Sequence, residues 1–408
     1  MRWPATHMAA ANDRAPTGRT GDMMTGSGTE AGLFLGLPDW VYRDPDFYRR
    51  ELERVMLPSW QVVCHESDLS RPGDYQRLDF ADRPIFVVRG EDRSIRAFYN
   101  VCRHRAARLL DGDESGAGYC VRERIVCPYH GWTYDLEGRL RGIPAGATYA
   151  GLDRTEWGLK SPDVEIWQGF VFVRCRPGGP SVAETMAPYE ETINAYRLPE
   201  MKALGRITLR PRDVNWKTVV ENYSDGLHIP VAHPGLSALA GGSYRLEASE
   251  DVMHMSADVA DRGVGSWSCR AYRRILPEVE HLPRPLRRRW NYFLLWPNLA
   301  FDLYPDQVDF MQMIPLGPER TLVREIPYGH ADGRREMRLA RYLNWRINRI
   351  VNAEDRGLIE RVQAGMDSGE FGQGPLSSQE TCLRALAERL RRVLPEALEP
   401  RPPARSVT

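Results

Sequence analysis

The sequence predicts an α+β protein, with an N-terminal all-β module ahead of a larger mixed domain whose antiparallel sheet is flanked by helices. Three observations predict it. From Trp60 to about Arg176, short apolar segments are punctuated by Gly, Pro and Asp, the mark of strands joined by tight turns. Pro177–Pro180 (PGGP) then reads as a linker. Beyond it helical and strand-like stretches alternate, and the closing stretch Glu336–Ala364 has strong helical periodicity.

Taken in order, residues 1–30 are poor in large apolar side chains and rich in Gly, Thr and Ala, a disorder-prone composition. A helical segment at 31–57 follows and is expected to pack on the second domain. Its helix is Pro45–Leu57, with Phe47, Leu52, Val55 and Met56 on one face. The all-β module spans 58–176, with strands at Gln61–Cys64, Ile85–Val88, Ile95–Tyr99, Arg124–Val126 and Gly169–Arg174. The second domain spans 181–395. It is expected to hold a helix at Ala183–Tyr196, a strand at Arg206–Pro211, a helix at Trp216–Leu227 and several strands between Tyr244 and Glu325. Residues 396–408 are expected to be disordered.

With 55 basic and 55 acidic residues the formal net charge is zero, so nothing favours nucleic acid or an anionic membrane as a partner. No apolar run reaches the ~18 residues of a membrane-spanning helix, and no apolar signal segment opens the chain. A cytoplasmic protein is expected. The seven cysteines are odd in number, which argues against a disulfide framework. Cys64, Cys175, Cys269 and Cys382 read as small buried hydrophobes, and Cys120 lies outside any motif.

Two Cys–His pairs stand apart. Cys102-Arg-His104 and Cys127-Pro-Tyr-His130 lie inside the β module, each presenting one thiolate and one imidazole from a tight loop. Two such loops facing each other would supply the two thiolates and two imidazoles of a Rieske [2Fe–2S] centre. A Cys₂His₂ zinc site is the rival, but zinc fingers usually keep Cys with Cys and His with His. Cys102–Arg105 (CRHR) together with Cys127–Leu140 (CPYHGWTYDLEGRL) resembles the Rieske domain of ring-hydroxylating oxygenase alpha subunits. The gap between the motifs is longer here than in that family, and Gly112–Tyr119 is expected to absorb the excess as an exposed turn.

The second constellation is Asn215–Leu236, NWKTVVENYSDGLHIPVAHPGL. His228 and His233 are five apart, about 500° around an ideal helix, so they share a face only if the helix stops. Pro230 and Pro234 stop it, letting His228 end the helix while His233 curls back. Two imidazoles and one carboxylate on one face of an iron leave positions open for oxygen and substrate. The segment resembles the mononuclear iron site of the same family, and the two motifs occur in the family's order. The resemblance implies Asp355, in the run NAEDRGLIERVQ, as the carboxylate ligand, with Glu354 pointing about 100° away on the helix. It also implies that Asp225 bridges an iron-ligating histidine to a cluster-ligating histidine of a neighbouring subunit, and that Asn222 lies near the iron.

What the resemblance implies overall is an oxygenase component with a helix-grip (START-like) catalytic domain, a Rieske [2Fe–2S] cluster and a mononuclear Fe(II). Such a component uses O₂ to hydroxylate a small organic substrate, with demethylation as a variant. No GxGxxG follows a strand, so NAD(P)H and flavin belong to a separate reductase, directly or through a ferredoxin. The family's cross-subunit route implies a homotrimer. Trp267, Tyr292, Phe293 and Trp296 are candidates to hold either an aromatic ring or acid, or a quaternary ammonium group. The rival readings are a non-enzymatic Rieske electron carrier and a zinc-binding structural protein.

Overall fold

The computed structural model describes residues 33–263 and 265–403. The disorder expected for residues 1–30 lies outside them. Asp44 caps the first helix, α1 (Pro45–Glu51), by accepting a hydrogen bond from the Phe47 amide at 2.7 Å, and Pro45 opens its first turn. Phe47, Val55 and Met56 are buried in a core shared with the second domain. Glu51, fully buried, meets Lys217 Nζ at 2.7 Å and Trp216 Nε1 at 3.2 Å, so the N-terminal segment is locked to that domain.

The β module contains β1 (Gln61–His65), β2 (Asp74–Phe80), β3 (Arg83–Arg89), β4 (Ile95–Tyr99), β5 (Ala117–Tyr119), β6 (Arg124–Val126), β7 (Thr133–Asp135), β8 (Leu140–Gly142), β9 (Asp163–Trp167) and β10 (Phe170–Arg174). They form small sheets of order β1-β10-β9, β4-β3-β2-β5 and β6-β7-β8. The stretch expected as an exposed turn is only half so. Asp113 accepts from the amides of Ser115 and Ala117 and closes a short turn. β5 then pairs with β2, and Gly118 lies so close under the Tyr75 ring that a Cβ there would sit 2.3 Å from it.

In the second domain the helix expected at Ala183–Tyr196 is split at Pro188 into α2 (Val182–Met186) and α3 (Glu190–Asn194), because proline cannot continue the amide ladder. Then come β11 (Lys202–Ala203), β12 (Thr208–Arg212), α4 (Trp216–Ser224), α5 (Ile229–Ala232), α6 (Pro234–Ala240), β13 (Arg245–Ala248), β14 (Val252–Asp258), α7 (Trp267–Ile275), β15 (Arg289–Leu295), β16 (Leu299–Leu303), β17 (Val308–Gly317), β18 (Arg320–Gly329), α8 (Arg335–Asp367) and α9 (Thr381–Val393). The strands form one antiparallel sheet, β11-β18-β17-β16-β15-β14-β13, with β12 also paired to β18. Leu299, Phe301 and Leu303 on β16 join one core with α2 and α3, while the alternate side chains Ala300 and Asp302 turn to the other face, as the two-residue period of a strand requires. Helix α4 packs against β17, α8 and α9.

Polar side chains join the β module to this sheet. Gln61 exchanges hydrogen bonds with Asn298 and accepts another from Gln312 Nε2 at 2.8 Å. The buried Arg324 donates to the carbonyls of Val62 and Val63. The C-terminal expectation is corrected in part. Pro395–Leu398 forms a 3-10 turn with Ala397 buried, and Trp40 Nε1 donates to the Glu399 carbonyl at 2.9 Å. Residues 404–408 lie outside the described part.

Candidate functional site

Two sets of side chains converge. In the first, the loops after β4 and β6 share one hydrogen-bond plan. The Cys102 amide donates to the Ala107 carbonyl at 2.8 Å and the Cys127 amide to the Trp132 carbonyl at 2.8 Å. The amides of Ala106 and Gly131 return to the carbonyls of Cys102 and Cys127, both at 3.0 Å. The matching geometry needs a positive φ at the same place in each loop, 57° at Ala106 and 68° at Gly131. The two loops thus hold their cysteines in matching positions, with His104 two residues and His130 three residues beyond the cysteine, and together form a cradle. Cys102 and Cys127 are buried, and the rings of His104 and His130 lie 4.6 Å apart.

His104 Nδ1 is buried and has no hydrogen-bond partner among the described residues. An orphaned imidazole nitrogen beside two buried thiols fits a cluster that takes two sulfurs and two nitrogens. Trp132 stacks on His104 at 5.0 Å, and the Tyr134 hydroxyl lies 3.5 Å from Cys102 Sγ, covering the sulfur side. Tyr129 and Val126, next to the ligands in sequence, are exposed, and Arg105 stacks over the Tyr129 ring.

The second set is built by local breaks in the chain. Asn215 caps α4, its side chain accepting from the Lys217 amide at 2.9 Å, and its own amide donates to Gln363 Oε1 of α8 at 2.9 Å. Helix α4 ends at Ser224, before the expected Leu227, because Asp225 is extended and turns its carboxylate back onto the amides of Leu227 and His228. His228 therefore opens α5 instead of closing α4, and His233 sits between α5 and α6 with Pro234 starting the latter. His228 Nε2 and His233 Nε2 lie 3.1 Å apart, and Asp355 Oδ1 lies 2.8 Å from the latter. His228, His233 and Asp355 offer one ligand atom each, all within 4.8 Å of one another.

Every member is backed by a further group. Asp225 Oδ2 lies 2.9 Å from His228 Nδ1, Glu354 Oε2 lies 2.7 Å from His233 Nδ1, and Asn222 Nδ2 donates to Asp355 Oδ1 at 3.1 Å. Burial opposes charge on His228, but Asp225 and Asp355 outweigh it and raise its pKa to about 9. Burial likewise opposes the Asp355 carboxylate, yet His228, His233 and Asn222 hold it down to about 2. A site that draws protons onto its imidazoles in this way stabilises positive charge at its centre, and a divalent iron displacing those protons fits the donor set.

Beside it lies a cavity lined by Tyr223, Tyr244, Tyr292, Tyr304, Asp302 and Asp309 among others. Of the proposed substrate contacts, Tyr292 reaches it. Phe293 is the next residue on the strand and points to the opposite face, into the core. Trp296 lies beyond the strand end under Arg389, and Trp267 is 51% exposed beneath Arg346. Sequence reasoning weighed Glu354 only as a rival ligand and missed its place behind His233. It also missed Asp302 and Asp309, whose signal was an acid inside an otherwise apolar strand.

The Rieske [2Fe-2S] domain family matches residues 59–161, and the ring hydroxylating alpha subunit (catalytic domain) family matches residues 196–396. The carnitine monooxygenase oxygenase subunit of Escherichia coli is 27% identical over 352 residues, 85% of this chain and 88% of that one. The glycine betaine monooxygenase oxygenase subunit of Chromohalobacter salexigens is 26% identical over 385 residues, covering 84% and 81%. A crystal structure of a quaternary ammonium Rieske monooxygenase shares the fold at a TM-score of 0.75 and 24% identity, over 88% of this chain and 96% of that one. Naphthalene 1,2-dioxygenase from Rhodococcus sp. does so at 0.72 and 21%, over 88% and 94%. The catalytic-domain match counts against a bare electron carrier and the cluster-domain match against a zinc protein. With the two domains in this order, the chain belongs to the alpha subunits of the Rieske non-haem iron oxygenases, enzymes that carry a Rieske [2Fe–2S] cluster and a mononuclear iron and draw electrons from a separate reductase.

Proposed function

We propose that Cys102, His104, Cys127 and His130 hold the cluster, that His228, His233 and Asp355 hold the iron, and that the enzyme hydroxylates a small organic cation in the adjoining cavity. The observation that carries the substrate reading is the acidic, aromatic wall. Asp302 and Asp309 stand opposite each other on β16 and β17, with Tyr292 opposite Asp302 on β15. A facing pair of carboxyls among ring faces favours a cation, whose charge would offset their mutual repulsion, and offers an aromatic acid's carboxylate no such gain. The carnitine and glycine betaine monooxygenase relatives support the same reading through their names.

Bound iron supplies the activation of O₂. The chain's own side chains do the rest. Asp225 and Glu354 fix the imidazole tautomers, Asn222 steadies Asp355, and the tyrosine rings exclude water from the reacting face.

In this reading His104 and His130 would hold the cluster near the surface to receive electrons, and Asp225 would join the iron ligand His228 to a cluster ligand of a neighbouring subunit. Exposed apolar side chains at both centres favour a head-to-tail homotrimer for that link: Tyr129 and Val126 next to the cluster residues, and Leu227 and Val231 next to the histidines. A ferredoxin or the reductase itself is the electron donor. No helix among the described residues is long and apolar enough to cross a membrane, and none of the cysteines is in a disulfide, which suits a cytoplasmic location.

The test is a screen of small cations, aromatic acids and neutral aromatics with the reconstituted holoenzyme and a surrogate reductase, following O₂ uptake coupled to hydroxylated product. Turnover of cations supports the reading. Turnover confined to aromatic acids overturns it.

A further inference from the structure

The proposed cation cavity contains more acceptors than a fully alkylated nitrogen could use. Arg210 is paired with Glu325, Arg349 stacks over Trp345, Asp225 faces His228, and Asp355 belongs to the proposed iron site. That leaves Asp302 and Asp309 on the cavity wall with no cationic partner among the described residues. Asp302 is already served on both oxygens. Tyr223 donates to its Oδ1 at 2.5 Å and Tyr304 to its Oδ2 at 3.1 Å. Asp309 accepts from Gln307 Nε2 at 2.9 Å on Oδ1, and its Oδ2 receives nothing from any described residue.

From this geometry we infer that Asp309, with Asp302 behind it, selects a substrate whose nitrogen still carries hydrogen, a protonated amine, over its quaternary counterpart. The inference rests on the cation reading above and narrows it. Aromatic faces alone suffice for a quaternary ammonium group, whose charge is spread over its carbons and which has no N–H to give. A carboxylate in the same cavity adds nothing specific to such a ligand, yet must lose its water when the ligand enters. A protonated amine instead puts an N–H on Asp309 Oδ2 and supplies the missing counter-charge. Sites built to satisfy a ligand N–H reject analogues lacking it, because the site's own polar atom is left unpaired.

The electrostatics agree. Burial pushes the Asp302 carboxyl up to about 7 despite the two tyrosine hydroxyls, and burial together with Asp302, Glu325 and Asp306 raises Asp309 well above the usual range. Burial and mutual repulsion keep the facing pair from ionising together, and a bound ammonium would offset both and favour the ionised form that accepts its N–H.

The experiment compares matched pairs on the purified holoenzyme by calorimetry at pH 7: 2-(dimethylamino)ethanol against choline, and N,N-dimethylglycine against glycine betaine. Wild type is expected to bind each protonated amine at least ~10-fold more tightly than its quaternary partner. Asp309→Asn, with cluster and iron content unchanged, is expected to remove that preference by weakening the amine and leaving the quaternary partner within ~3-fold. Equal or tighter binding of the quaternary partner by wild type overturns the inference while the cation reading stands. So does an Asp309→Asn protein that keeps the preference. Binding of neutral indole with no cation bound at all removes the cation reading, and this inference with it.

Discussion

Glu354 Oε2 lies 2.7 Å from Nδ1 of His233. The other nitrogen of the same ring faces Asp355 at 2.8 Å, so adjacent acids on α8 serve opposite edges of one imidazole. With Asp225 behind His228, each histidine has its own carboxylate fixing which nitrogen carries the proton. Glu354→Ala is therefore expected to weaken iron retention by ~10–100-fold with the cluster intact, and Glu354→Gln by less because an acceptor oxygen remains. Competition with a ferrous chelator measures both. Equal iron affinity in all three proteins would show that His233 is oriented by packing alone.

Asp225→Asn separates holding from transmitting. The amide oxygen still accepts from His228 Nδ1, but the negative charge is gone. Both metals are expected to stay, counted as iron and acid-labile sulfide, while turnover falls ~100-fold or more. Full activity in that variant would remove Asp225 from the electron path. Loss of iron would reduce its job to positioning His228.

Both converging sets of side chains were legible because their chemistry is local. A Cys and a His two or three residues apart on a tight loop declare themselves in sequence, and Pro230 and Pro234 announce that His228 and His233 leave a continuous helix. What was illegible depends on register. Tyr292, Asp302 and Asp309 meet only because three strands align them on one sheet face, and no single segment carries that information. The same blindness placed Phe293 in the pocket: an aromatic cluster in sequence is split between two faces once it becomes a strand. The early end of α4 was missed for a different reason, since Asp225 competes for backbone amides that the helix would otherwise use.

His65 gives the fold an acid-sensitive point. It is fully buried between Phe170 and Tyr328, and burial lowers its pKa from 6.5 to about 4. The folded protein thus keeps His65 neutral at a pH where the unfolded chain binds a proton. Its contribution is complete above about pH 6.5 and is lost as pH falls toward 4, by about 3 kcal/mol in full. His65→Gln cannot titrate, so its melting temperature is expected to fall less steeply across that window than the wild type's. Parallel curves would assign the acid sensitivity to other groups.

The Glu51–Lys217 pair is the sharper stability test, because both side chains are wholly removed from water. Burial raises the Glu51 pKa and lowers that of Lys217, each against the pull of the other, so neither charge is comfortable alone. Lys217→Met strands a carboxylate whose remaining donor is Trp216 Nε1, and Glu51→Gln strands an ammonium over the Tyr42 ring. Each single change is expected to cost about 3–5 kcal/mol, read as a lower urea midpoint. The double change Glu51→Leu/Lys217→Met removes both charges of the pair together and is expected to cost less than either single one, because neither partner is left without the other. A double variant as unstable as the sum of the singles would mean that the pair contributes through packing of the N-terminal helix and not through charge compensation.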